Sequence, residues 1–576
     1  MTRAIRRRPA AATADPRLAG LHPVLQRIYA ARGVLSANQV DHRLRHLAPP
    51  EGMGGLDAAT CLLSEALAGQ QAIVVVGDFD ADGATGTAVA VRGLRLLGAA
   101  ADSVGFKVPH RAVHGYGLSP ALVEELRADA PALLLTVDNG IAAHAGVAAA
   151  RAAGMRVIVT DHHLPGPTLP EADAIVDPCL PGDGFPSKAL AGVGVVFYLL
   201  LALRARLRAQ GWFDATRPEP DLSVLLDLVA VGTVADLVPL DRNNRVLVAA
   251  GLRRLQAGQA CAGLRALLAV SGREAARLTA ADLGFALAPR INAAGRLEDM
   301  AIGIQCLLSD DEAQASALAG RLDAINRERR AIQSDMQDQA EALAEPWLRA
   351  GADALPAGVC LYDPGWHAGV VGLVASRLKD RLQRPVIALA PAEEGGAMLK
   401  GSGRSVEGFH LRDALADIAA AEPDLIERFG GHAMAAGLSI AQSKLERLRA
   451  AFAARAQRDL GPAPGVAAIE TDGRLGAAEA TLELAALLAA SGPWGQGFPE
   501  PCFDDVFELR GWRVMAERHL KLDLAWPDGG VVEAVHFGGY AGAAPPARLR
   551  VVYQLAIDEW RGARRLRLLV RHAEPA

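Results

Sequence analysis

The fold of this chain turns on IVVVGDFDADGATG, residues 73–86. An apolar run, Ile73–Val76, leads through Gly77 into alternating aspartates, Asp78, Asp80 and Asp82, and then Gly83. Continuous rather than alternating apolarity marks a strand buried on both faces, as in a parallel sheet with helical crossovers. The aspartates also match the opening of an EF-hand loop, D-x-D-x-D-G. That reading fails because the twelfth loop position is Val89 instead of a bidentate Glu, and a strand rather than a helix precedes the loop. A Walker phosphate loop fails as well, since no Gly-Lys-Ser/Thr follows. What remains is an acidic turn at the carboxyl end of a buried strand. Gly83 and Gly86 would let the next helix pack close to it.

Further apolar runs extend the pattern outward: ALLLTVD (132–138), RVIVTD (156–161) and DAIVD (173–177). Helical stretches such as LVEELRADA and IAAHAGVAAARAAG separate some of them. The second run ends at Asp138, within TVDNG, and the third at Asp161-His162-His163. In an open parallel sheet, ligands bind beyond the carboxyl ends of the strands, so these side chains are predicted to gather at one edge. One aspartate after a strand is ordinarily a helix N-cap or a turn former. Three such strand ends with a His-His pair point instead to a cation, because concentrated buried negative charge is otherwise unfavourable. Aspartate oxygen with some imidazole nitrogen suits Mn²⁺ or Mg²⁺. The ligands exceed what one ion needs, so two divalent metals are expected; spaced about 3.5–4 Å apart, such a pair clamps a phosphate and activates water.

At 576 residues the chain is expected to form several domains. Hydrophobic residues make up 51% and charged residues 22%, ordinary for a soluble globular protein. A net charge of −5 excludes a globally basic nucleic-acid coat, so a nucleic-acid partner requires a local basic patch. The six cysteines are scattered without a CxxC, which argues for reduced thiols over a zinc knuckle or a disulfide framework. Arg3, Arg6, Arg7 and Arg8 have no apolar segment behind them, so no secretory signal is expected. AGVGVVFYLLLAL (191–203) falls short of the ~20 residues of a membrane span. A cytoplasmic protein is the expectation. The predicted organisation is a helical lead-in over 1–55, a parallel-sheet α/β domain over 56–305 and a connecting helix over 306–350. A second α/β domain over 351–460 and an all-β barrel or sandwich over 466–576 follow. GVGVVF (192–197) lacks the third glycine of a dinucleotide fingerprint and reads as close helix packing.

DFDADG, TVDNG, VTDHH and GTVADLVPL resemble, in order, the four motifs of the DHH phosphoesterase superfamily. WHAGVVGLVASRL, GSGRS and FGGHAMAAG resemble its DHHA1 companion domain. With LAGVGV, PRINAAGR, GPWGQGFPEP and a C-terminal β module, the whole is similar to the superfamily's bacterial exonucleases for single-stranded DNA, from about residue 55 to the end. The resemblance implies a Mn²⁺- or Mg²⁺-dependent enzyme that degrades single-stranded DNA to mononucleotides from the 5′ end, in recombination and repair. It implies Asp80, Asp82, Asp138, His162 and Asp236 as metal ligands, with Asp78 and Asp161 in support. His163 would contact the scissile phosphate or assist proton transfer. Ser402, Arg404 and His432, joined by Arg290 or Arg296, would hold the 5′-terminal phosphate, a contact suited to arginine.

The C-terminal module resembles an OB-fold, which binds single strands with a basic groove and stacking aromatics. Trp512, Arg518, His519, Lys521 and Phe537 are available for this. A monomer working with a single-strand-binding protein and a helicase is implied by the resemblance alone. Before GYGL (115–118) the family carries acidic residues; here Val113 and His114 stand in their place, and neither His110 nor His114 is assigned to metal. Two rival functions remain open. One is a DHH phosphodiesterase for cyclic dinucleotides or very short oligonucleotides. The other is a catalytically silent single-strand-binding factor, against which the intact ligand set argues.

Overall fold

The computed structural model describes residues 4–9, 16–110, 114–350, 355–393, 395–461, 468–560 and 563–576. Arg3, Val113 and the domain boundaries expected near 351 and 466 lie outside them. The chain forms two compact units, one of residues 5–323 with 470–576 and one that includes 324–469.

In the first unit, the expected helical lead-in is mostly irregular. Among the described residues it holds one α-helix, α1 (Pro23–Ala30), short 3-10 turns and an extended segment, Ile5–Arg7. Arg7 reaches Asp504 with two parallel hydrogen bonds of 3.0 Å, and Arg32, just past α1, does the same to Asp472 at 2.7 and 3.0 Å. The Asp504 carboxylate is fully buried and also accepts from Thr471 and Arg550. These charges are paired and hydrogen-bonded, the condition on which burial of a charge is tolerated.

Five parallel strands follow: β1 (Ile73–Val76), β2 (Val104–Lys107), β3 (Leu133–Val137), β4 (Arg156–Thr160) and β5 (Ala174–Val176), in spatial order β2-β1-β3-β4-β5. The runs read from sequence as continuous apolar stretches are β1, β3, β4 and β5. The edge strand β2 was not among them, since Val104 alone in VGFK is buried. One face of the sheet packs Val74, Val76, Leu134, Val157 and Val159 against Leu118, Leu122, Val123 and Val147. On the other face Ile73, Val75, Leu133, Leu135 and Ile158 are equally buried. That face is covered by helices, among them α2 (Ala81–Leu96), which leaves the acidic turn, and α3 (Gly192–Ala209). Next come α4 (Leu226–Ala235), α5 (Arg242–Gln256) and α6 (Ala288–Leu297). The long helix α7 (Glu312–Ala350) runs from this unit into the other.

The second unit carries a mixed sheet of β6 (Val359–Tyr362), β7 (Val386–Pro391), β8 (Met398–Arg404), β9 (Arg428–Gly431) and β10 (Ala435–Ala441). Its order is β9-β10-β8-β7-β6, with only β6 and β7 parallel. Ile387, Leu399, Leu415, Leu438, Leu448 and Phe452 lie in its core.

The C-terminal strands β11 (Phe503–Met515), β12 (His519–Ala525), β13 (Val531–His536), β14 (Arg548–Trp560) and β15 (Ala563–Pro575) close a barrel in the order β11-β12-β13-β15-β14. The pair β13–β15 is parallel and the others are antiparallel. Closure leaves no open edge, and five strands make the small barrel of OB type expected from the sequence. The barrel belongs to the same compact unit as the parallel sheet.

Candidate metal centre

In the order β2-β1-β3-β4-β5 the connections reverse direction between β1 and β3, and ligands of doubly wound sheets bind at such a switch point. The acidic turn leaves β1 there, and Asp138 ends β3 beside it. Asp161 follows β4, and Asp177 follows the neighbouring β5. The register aligns these exits, with Val76 opposite Thr136, Val137 opposite Thr160, and Thr160 opposite Val176.

Local chemistry fixes each side chain. Asp80 is the N-cap of α2, accepting from Asp82 N–H and Gly83 N–H at 3.0 and 3.1 Å. Asp82 is buried at the N-terminus of α3, where Gly192 and Val193 N–H donate to it at 2.6 and 3.0 Å. The positive end of a helix favours that carboxylate. LAGVGV is thus close packing and more: a Cβ on Gly192 would stand 2.5 Å from the Cβ of Asp138. Gly83 and Gly86 do serve close approach, with a Cβ falling 2.6 Å from Asp78 N and from Val137 Cγ1 respectively. Asp138 has φ +61°, a left-handed conformation that aspartate tolerates better than most residues.

These strand ends and the end of α4 converge. His162 Nε2 lies 3.0 Å from Asp138 Oδ1 and 3.7 Å from Asp236 Oδ2. Among the described residues, ligand-type atoms come within 4.8 Å of one another in three groups: Asp78, Asp80 and Asp138; Asp82, His162 and Asp236; and Asp138, His162 and His163. Asp161 serves its neighbours. Its Oδ1 accepts from the N–H groups of His162 and His163 and stands 2.7 Å from His163 Nδ1, while Oδ2 accepts from Ile141 N–H.

Burial pushes the Asp82 and Asp138 carboxyls well above the usual carboxylate range, and repulsion from Asp80 and Asp236 adds to it. Burial and Asp80 push Asp236 up to about 7. Burial alone would lower the His163 imidazole, but Asp161 overrides it and raises the ring to about 9. A set of carboxyls that burial and mutual repulsion drive toward protonation is one that a divalent cation would hold ionised. Oxygen donors with imidazole and no thiolate fit Mn²⁺ or Mg²⁺.

Sequence reasoning missed several supports. Tyr116 donates to the Asp138 carbonyl at 3.1 Å and sets its ring edge-on to Phe79 and His163. Asn139 donates to the carbonyls of Val76 and Val137, tying the ends of β1 and β3 together. From PRINAAGR, Asn292 accepts from Ala81 N–H at 2.8 Å, and a Cβ on Gly295 would stand 2.0 Å from the Phe79 carbonyl oxygen. Burial raises the Asp177 carboxyl to about 7; the strand-end rule applied to DAIVD would have found it. His114 accepts from His110 N–H through Nδ1 and pairs with Glu125 through Nε2 at 2.7 Å.

Elsewhere the expected phosphate contacts are in varied settings. Arg290 is buried and donates to Asp323 at 2.9 Å and to the Ala286 carbonyl at 2.6 Å. Arg296 is half-buried on the same helix, α6. In the second unit, Ser402 and Arg404 alternate with buried glycines on β8, and the Arg404 guanidinium donates to Ser402 Oγ at 2.9 Å. His432 is exposed in the turn between β9 and β10. On the barrel, Trp512 is 41% and Phe537 64% exposed; Trp512 stacks near Tyr540, and His519 meets Phe537 edge-on. Arg518 is exposed, while Lys521 is paired with Glu533.

Comparison with known proteins bears on the whole chain. Residues 72–233 match the DHH family N-terminal domain, 356–458 the DHHA1 domain and 471–572 the RecJ OB domain. A Salmonella typhimurium protein named single-stranded-DNA-specific exonuclease RecJ is 49% identical over 573 residues, covering 99% of this chain and 98% of the relative. The chain belongs to the RecJ family. The Escherichia coli RecJ is 48% identical over 576 residues, 99% of each chain. The crystal structure of Thermus thermophilus RecJ with Mn²⁺ superposes with a TM-score of 0.83 at 32% identity, covering all of this chain and 80% of that one. Its complex with Mg²⁺ gives 0.77 at 30% identity, covering all of this chain and 79% of that one. Both metals bound to that RecJ are the hard cations to which the donor set here is suited. Among the described residues no helix is long and apolar enough to cross a membrane.

Proposed function

We propose that this chain is a divalent-metal-dependent exonuclease specific for single-stranded DNA, degrading it 5′ to 3′ to mononucleotides in recombination and repair. The observation that carries the reading is the collection of Asp80, Asp82, Asp138, His162 and Asp236 at the switch point of the RecJ-family sheet. Two ions of Mn²⁺ or Mg²⁺ bound there would supply Lewis-acid stabilisation of the phosphoryl oxygens and a water of lowered pKa. Those five side chains would hold the ions. Asp161 fixes the backbone and the ring of His163 together, and that ring would contact the scissile phosphate or pass a proton to the leaving oxygen. Asp78, inside the acidic turn, supports Asp80 and Asp138. Ser402, Arg404 and His432 would bind the 5′-terminal phosphate. The exposed aromatics of the barrel would stack the bases behind the cut, with Arg518, His519 and Lys521 beside them. A monomer in the cytoplasm, fed by a helicase and a single-strand-binding protein, completes the reading.

A single strand labelled at one end tests it, incubated with Mn²⁺ and with or without chelator. Mononucleotide release from a 5′ label, abolished by chelator, is expected. Release first from a 3′ label would reverse the polarity, and release unaffected by chelator would remove the metals.

A further inference from the structure

The stretch GPWGQGFPEP, residues 492–501, has no part in the roles above. It forms a tight turn in which the Gly495 N–H donates to the Phe498 carbonyl at 2.9 Å and the Phe498 N–H to the Gly495 carbonyl at 3.1 Å. The turn lies against the loop that follows Asp236. Its Gln496 carbonyl accepts from Leu240 N–H at 2.7 Å. A Cβ on Gly497 would stand 3.2 Å from Pro239 Cβ, and one on Gly495 would stand 2.7 Å from Leu240 Cδ1. Gly497 also has φ +70°, so conformation and contact both disfavour a side chain there.

The turn is anchored by stacking. The buried Phe498 ring lies 4.1 Å from the Arg245 guanidinium and is stacked on Trp494 at 5.1 Å and 13°. Arg32 in turn lies 5.5 Å from the Trp494 ring. Arg245 closes the circuit, because its Nη1 donates to the Leu240 carbonyl at 2.9 Å. Both backbone groups of Leu240 are therefore held, one by the turn and one by the arginine stacked on it. Leu237, next to Asp236, has φ +64°, a conformation a leucine keeps only when its surroundings impose it. Its side chain is 70% exposed, so its own packing does not impose it.

We propose that Arg245 and the Trp494–Phe498 turn are positioning residues for Asp236, pinning the Asp236–Leu240 loop so that the carboxylate stays beside His162 and Asp82. The proposal rests on the reading of Asp236 as a metal ligand. The turn belongs to the segment that leads into the barrel, so the strand-gripping module and the cutting site are set by one structural element.

Phe498→Leu removes the stack while keeping an apolar filler, and Gly497→Ala forces the turn off Pro239. Mn²⁺ binding to the full chain without DNA is read from the electron paramagnetic resonance signal of free Mn²⁺, alongside melting and strand binding in chelator. Both variants should bind the Asp236-dependent Mn²⁺ at least about tenfold more weakly, with strand binding in chelator within about twofold of wild type. Phe498→Tyr, which keeps the ring, should restore Mn²⁺ binding. Val551→Ala, in the barrel core, controls for lost stability and should leave Mn²⁺ binding unchanged. If the two turn variants bind Mn²⁺ as wild type does while Asp236→Asn does not, the turn is only structural and the proposal falls. A loss as large in Val551→Ala would overturn it too. If Asp236→Asn binds Mn²⁺ like wild type, the ligand reading itself has failed.

Discussion

Asp138 combines three unfavourable conditions: burial, a left-handed backbone and carboxylate neighbours. A residue so placed costs the fold stability, which fits the metal-ligand role proposed for it. Asp138→Asn keeps the shape and the backbone tolerance but removes the charge. We expect cleavage to fall by at least about 10³-fold, since a positioned metal pair supplies most of the rate. Strand binding should stay close to wild type, and the melting temperature in chelator should rise. Cleavage within a few-fold of wild type would remove Asp138 from the site. Asp236 gives a pH-dependent counterpart. Its carboxyl is raised from an unfolded value of about 4 to about 7 in the fold. Its stabilising contribution is therefore whole below the unfolded value and is lost as pH rises through the folded one. In chelator, the melting temperature of Asp236→Asn minus that of wild type should grow between pH 5 and pH 8. A flat difference would mean that Asp236 does not titrate with folding. The gathering of Asp78, Asp138 and Asp161 at one sheet edge was legible in the sequence because each follows an apolar run read as a buried strand, whereas Asp236, at the end of helix α4, was implied by the family resemblance alone. Tyr116, Asn139 and Asn292 were not legible, because they act through backbone groups that no local pattern announces.

Among the elements of the two sheets, the strands with continuous apolar runs were the readable ones. β2 has one buried residue, and β8 alternates buried Leu399, Gly401 and Gly403 with half-buried Lys400, Ser402 and Arg404, so neither stands out as an apolar run. Helices betray their partners even less. PRINAAGR offers two arginines for phosphate, yet Arg290 of α6 is paired with Asp323 of α7. Arg290→Ala distinguishes the two uses. A phosphate contact predicts a raised KM for the strand at unchanged stability. The buried pair predicts a loss of about 3 kcal/mol with KM unchanged. We expect the second, measured by chemical denaturation beside steady-state kinetics.

At the scale of the whole molecule, the order of modules was legible because each carries its own periodicity, and because the motifs follow one another as they do in the RecJ family. The pairing of the lead-in with the last module was not legible, because ion pairs between distant segments leave no local pattern. That pairing decides how the barrel can be tested. Removing everything from residue 466 onward would also remove Trp494 and Phe498, which stack against Arg32 and Arg245. Changing the barrel surface is the cleaner experiment. Trp512→Ala with Phe537→Ala should weaken binding to a long single strand at least about tenfold and leave dinucleotide turnover within about twofold. Equal loss on both substrates would count against stacking on the barrel. The arginine arm also has a consequence in time. Arg7 waits for a partner 497 positions later in the sequence, and Arg32 for one 440 positions later. At ordinary elongation rates the gap is roughly 25–100 s. Until Asp504 leaves the ribosome, Arg7 has no barrel to dock on. The arm that carries Arg7 and Arg32 therefore reaches its place only after residues made hundreds of positions later are available to pair with it.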